Sequence, residues 1–173
     1  MVNPRHVREL YNIFSIDPSI DNHRPLARVM YKVLTGTNLT ATLRHVKTLD
    51  NNSIGRYLHE EQECLVVDWL PHDRILTTMG HELGHARHNT GWRSVYEETK
   101  TELFEVLYTK KLEELIDKQF DYWIGEESPL YPHMQDLPLF NSEKLADMYY
   151  NFDRTNKQLS LGVRKPLIAR LGI

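Results

Sequence analysis

Residues 81–88 read His-Glu-Leu-Gly-His-Ala-Arg-His, and the segment around them constrains the fold of this chain more than any other. From the chain's own composition, chance gives about 0.04 occurrences of His-Glu-x-x-His, so the pattern is informative only if its surroundings support it. They do so locally. Residues 70–92, "LPHDRILTTMGHELGHARHNTGW", place Asp73 where a helix N-cap would stand, repeat apolar side chains at Ile75, Leu76, Met79 and Leu83, and supply Asn89 and Gly91 as stop signals. The spacing therefore predicts a helix over 73–89 that carries both histidines. Residues four apart on a helix stand above one another on one face, with Cβ atoms about 5–6 Å apart, so two imidazoles can reach one ion. Glu82 adjoins them, positioned to take a proton from a water on that ion. Gly84 leaves room for a second element to approach closely.

Two histidines need a third protein ligand if one position is to stay open for water. The next helical stretch, 95–118, supplies candidates. Ser94 and Glu97 have the spacing of a capping box, which gives Glu97 a structural task. Glu98, Glu102 and Glu105 then fall on one face, among Leu103, Phe104, Val106, Leu107, Leu112 and Leu115. Successive turns are about 5.4 Å apart, so one of the three can be the ligand and another can orient a histidine. His88, on the adjoining turn, reads as a rim residue, since a catalytic ion needs its fourth place open. The single cysteine, Cys64, lies in an apolar strand and reads as core.

The remainder of the chain frames these two helices. Residues 4–15 and 24–34 have amphipathic helical spacing, through Val7, Leu10, Tyr11 and Phe14 and then Leu26, Val29, Met30 and Val33. Residues 39–70 alternate and read as a small antiparallel meander or hairpin, pinched at His59, Glu60 and Glu61. Residues 123–140 carry three of the eight prolines and are expected to be irregular, before a helix over about 142–152 and a weaker one near the end. The expected fold is α+β: a small antiparallel-edged sheet packed on the histidine helix and the glutamate helix, with extra helices at both ends. One domain is expected over 1–173, with N-terminal helices at 1–38, a core at 39–118 and a Pro-rich segment with helices at 119–173.

Composition excludes several function classes. The 21 basic and 24 acidic residues are mixed along the chain and sum to a formal charge of −3, which gives no footprint for nucleic acid. One cysteine excludes an internal disulfide framework, the first residues lack a signal-peptide pattern, and no apolar run is long enough to cross a membrane. A cytoplasmic protein is expected; its oligomeric state is not legible.

The His-Glu-x-x-His pattern followed by a helix with a ligand glutamate resembles the gluzincin zinc metallopeptidases. Within them, "ECLVVDWLPHDRILTTMGHELGHARH" is similar to the strand, loop and active-site helix of ImmA/IrrE-type peptidases, over about residues 53–112. Their second motif runs roughly E-x-x-A-[ND]-x-F-A, which this chain matches at Glu98 and Phe104, with Thr101, Glu102 and Glu105 at the other three places. The resemblance implies a zincin-like domain binding Zn2+ through His81, His85 and Glu98, with Glu102 behind the ligand and Glu105 as the alternative ligand. It implies a metalloendopeptidase that hydrolyses protein or peptide substrates through a zinc-bound water activated by Glu82. The metzincin pattern fails, because it needs Gly at His88 and His at Gly91. Peptide deformylases fail too: "ECL" lacks their glycine, and Cys64 lies only 17 residues before His81. Tyr131 and His133, in the Pro-rich segment, are the candidate donors to a developing oxyanion. The segment 57–67 is expected to offer a strand edge to an extended peptide. The alternative reading is a metal-containing interaction module with little peptidase activity.

Overall fold

The computed structural model describes residues 2–89, 95–126 and 128–155. Helix α1, Pro4–Ile16, starts where Asn3 accepts a bond from the Arg5 amide and Pro4 supplies a preset φ. Its apolar stripe buries Val7, Tyr11 and Phe14. Helix α2, Ile20–Thr35, begins four residues before the expected start and encloses Pro25. The proline removes the donor for the Asp21 carbonyl, but Asp21 is exposed, so water can serve that oxygen. Gly36 ends the helix in the left-handed region at φ 70°.

Three strands follow: β1, Thr42–Val46; β2, Gly55–Leu58; and β3, Glu63–Val67. Their order is β1-β3-β2. Strands β2 and β3 form the expected hairpin, whose turn contains Gln62 at φ 50°, but β1 pairs with β3 in parallel. The sheet is therefore mixed and not an antiparallel meander. Alternation marks which residues are strands, whereas pairing direction depends on the 47–54 connection, which carries the chain past β3 to its far side. The central strand is buried along Cys64, Leu65, Val66 and Val67, as a strand covered on both faces requires.

The sheet packs through β2 and β3 on helix α3, His72–His88, and α3 packs in turn on helix α4, Val95–Ile116. Asp73 is not the N-cap of α3. That place belongs to Pro71, without a side-chain cap, while Asp73 receives bonds from Lys118 Nζ at 2.8 Å and, with Tyr11, ties α1 and the end of α4 to the start of α3. Asn89 closes the helix at φ 43°, as expected. The capping box at Ser94 lies outside the described residues; Glu97 pairs with Lys100 at 3.4 Å. Residues 119–126 and 128–141 are irregular apart from two short 3-10 turns, Tyr131–His133 and Leu137–Leu139. Helix α5, Ser142–Thr155, then lies against α4, its start fixed by the Ser142 amide donating to Glu114 at 2.8 Å. The expected C-terminal helix lies outside the described residues. Among those described, no helix is long and apolar enough to cross a membrane.

Candidate metal centre

The centre begins with how closely α3 and α4 approach. A Cβ added at Gly84 would lie 3.0 Å from Thr101 Cγ2 and 3.1 Å from its carbonyl oxygen, so no other residue lets the two backbones meet there without displacement. One turn earlier, a Cβ at Gly80 would stand 2.8 Å from the ring of the fully buried Tyr108. The two small residues bring the histidine face of α3 against the glutamate face of α4.

The His81 and His85 rings meet edge to face, with centroids 4.9 Å apart. Glu98 faces both: its Oε1 is 3.1 Å from His81 Nε2 and its Oε2 is 3.6 Å from His85 Nε2. One ligand atom from each of the three residues can be chosen so that all lie within 4.8 Å of one another, a group that could hold one metal ion. The remaining ring nitrogens are held from behind. His81 Nδ1 is 3.0 Å from Glu105 Oε2, and His85 Nδ1 is 3.3 Å from the hydroxyl of the buried Thr101. A histidine bound at Nδ1 to an acceptor keeps its Nε2 lone pair for a metal, which is the donor arrangement zinc sites use. The donor set fits a divalent ion of the zinc type, with three protein ligands and room for a fourth.

Charge is concentrated here. Burial opposes protonation of His81, but hydrogen bonds to Glu105 and Glu98 and the charges of Glu105 and Glu82 together hold its pKa well above the ordinary value. Glu82 is 4% exposed, and Gly55 of β2 approaches so closely that a Cβ there would lie 2.5 Å from Glu82 Oε1. The glutamate is thus clasped between α3 and the edge strand, beside the His81/His85/Glu98 group. Cys64 donates to the Glu82 carbonyl at 3.6 Å from within the core, where burial pushes the thiol pKa up.

Glu102 takes a different place from the expected one behind Glu98. Its carboxylate receives the Ser128 hydroxyl, which itself accepts from the Leu130 amide at 3.1 Å. Burial raises the Glu102 pKa to about 7, partly offset by Ser128. Glu105, the alternative ligand in the sequence reading, is instead the group that orients His81. Both assignments depended on how α4 lies against α3, which the spacing of the glutamates along one helix does not contain.

His81, Glu82, His85, Glu98, Glu102 and Glu105 line one cavity of about 310 Å³, together with Ser53, Ile54 and Gly55 ahead of and within β2, Arg74 and Thr78 of α3, and Trp123, Gly125, Ser128 and Pro129. The Pro-rich segment contributes Trp123, Gly125, Ser128 and Pro129 to the cavity wall, whereas Tyr131 and His133 lie beyond Pro129 on a 3-10 turn and neither lines the cavity. The cavity meets the chain at Ser53, Ile54 and Gly55, where β2 begins, and none of residues 57–67 lines it. His88 is turned away from the ligand group: its Nε2 meets the Tyr149 hydroxyl at 2.7 Å, and burial lowers its pKa to about 2. Sequence reasoning missed Arg74. Its signal was present, because Arg74, Thr78, His81 and His85 follow one another at i, i+4, i+7 and i+11 along a single stripe of α3. Ser128 and Gly55 carried no comparable signal.

Comparison with family models, with curated proteins and with solved structures returned no match.

Proposed function

We propose that the chain is a zinc-dependent metallopeptidase of zincin-like architecture, similar to the ImmA/IrrE-type enzymes. One observation carries this reading: the carboxylate of Glu82 lines the same cavity as the convergent His81, His85 and Glu98, where a purely structural metal site would have no use for it. Bound at those donors, zinc would bring the pKa of a water towards about 7 and polarise a carbonyl. Glu82 accepts the proton of the attacking water and returns it to the leaving amine. Glu105 fixes the tautomer and ring plane of His81, and Thr101 holds the ring plane of His85. Ser53 and Ile54 are tied by backbone bonds to Asp50 and Val67, so an extended peptide would lie along the edge strand β2 from Gly55 onward and be recognised partly through its main chain.

The test compares zinc-loaded wild type with Glu82→Gln on peptide libraries, reading cleavage by mass spectrometry and zinc by elemental analysis. The expected result is cleavage by wild type and a loss of about 10²–10⁴-fold in the variant, with zinc content unchanged. Equal rates in both proteins, or no cleavage by either at full zinc occupancy, would favour a metal-containing interaction module.

A further inference from the structure

Arg74 stands on the stripe of α3 that carries the two histidines, two turns before His81, and lines the same cavity. Its guanidinium lies over the Trp123 ring, Cζ 4.6 Å from the centroid. Among the described residues, the guanidinium takes part in no hydrogen bond and no ion pair. The neighbouring cations differ in this respect: Lys100, Lys110 and Lys111 of α4 each sit within 3.5 Å of a carboxylate, and Lys118 does so at 2.8 Å. The acidic charge that acts on Arg74 is that of Glu105, whose carboxylate is engaged by His81.

A guanidinium stacked on an indole has one face covered and its rim of N–H donors free, the geometry that receives a carboxylate through two parallel bonds. Partial burial pulls the Arg74 pKa below its ordinary value, so its charge is held at some cost that an incoming anion would recover. The cavity tolerates such an anion. With zinc in place, the ion's two charges and that of Arg74 would offset the carboxylates of Glu82, Glu98 and Glu105, which line the same cavity. Trp123 and Pro129 add an apolar wall beside the guanidinium for the neighbouring part of a substrate.

We propose that Arg74, propped by Trp123, is a specificity residue that selects peptides with a carboxylate close to the scissile bond. The carboxylate is either the free C-terminus or an Asp or Glu side chain, and this inference rests on the metallopeptidase reading above.

The experiment uses the full zinc-loaded chain and calorimetric titration with peptide hydroxamates in matched pairs. One pair has its terminus as carboxylate or carboxamide, and the other has an amidated terminus and an internal Glu or Gln. For wild type, the acid member of one pair should bind at least about tenfold tighter than its neutral partner. The pair that shows the preference identifies the source of the carboxylate. Arg74→Gln should abolish the preference and Arg74→Lys retain part of it, since lysine keeps the charge without the fork. The neutral probes should bind all three proteins alike, at equal zinc content. Acid and neutral probes binding wild type equally, or a preference that survives Arg74→Gln, would overturn the proposal. So would a variant that loses zinc and neutral-probe binding together, since Arg74 would then only balance the acidic cluster. Failure of even the neutral probes to bind wild type at full zinc occupancy would sink the peptidase reading itself, and this one with it.

Discussion

His81 donates its Nδ1 proton to Glu105 Oε2 across 3.0 Å, so that the nitrogen left facing Glu98 is Nε2. Glu98 and Glu105 are seven residues apart, about 10.5 Å along α4, and reach the two nitrogens of one ring from opposite ends. The bond therefore does two things at once: it fastens α3 to α4 and fixes which nitrogen a metal would meet.

Replacing Glu105 tests that role. Glu105→Gln keeps the shape of the acceptor but removes its charge, and zinc affinity should fall by about 10–100-fold, as it does when outer partners of metal-bound histidines are changed. Competition with a chromophoric chelator measures this. An affinity within error of wild type would mean that Glu105 does not orient His81.

The approach of the helices gives a second prediction. In Gly84→Val the new side chain meets the Thr101 backbone, which cannot rotate away, and Thr101 is also the residue behind His85. Overpacking of this kind costs about 1–3 kcal/mol, so thermal unfolding should shift down and zinc affinity should drop with it. Unchanged melting would show that the two backbones are not in contact at this turn.

These two residues also show where sequence reasoning stops. The pairing of His81 with His85 was legible because residues four apart share a helix face whatever the rest of the chain does. Glu98, Glu102 and Glu105 were legible as a face, but their separate tasks were not, because these follow from the line of contact that Gly80 and Gly84 set between two helices. The parallel β1 was hidden for a related reason, since alternation in Thr42–Val46 is the same for either direction of pairing. Asp73 was misread as a cap because its partner, Lys118, lies 45 residues away.

Away from the centre, His23 sets a pH dependence. The ring is fully buried against Phe14, its Nδ1 is 2.9 Å from His45 Nε2, and its Nε2 has no hydrogen-bond partner among the described residues. Burial, and then the charge of His45, lowers its pKa from 6.5 to about 3. The folded state thus refuses a proton that the unfolded state accepts, so this contribution is present above pH 6.5 and is lost as pH falls towards 3. Between pH 7 and 5 the loss is about 2 kcal/mol. Other groups titrate over the same range, so the measurement is a difference: urea unfolding at both pH values should show a smaller acid destabilisation in His23→Leu than in wild type. Identical pH slopes would contradict a neutral, buried His23.

The most direct test of the account is zinc per chain, by elemental analysis of tag-free protein after dialysis against a weak chelator. A zinc centre at His81, His85 and Glu98 predicts about one equivalent. Little or none, even after zinc has been added, would contradict a metal centre between α3 and α4, and the proposed peptidase chemistry would fall with it.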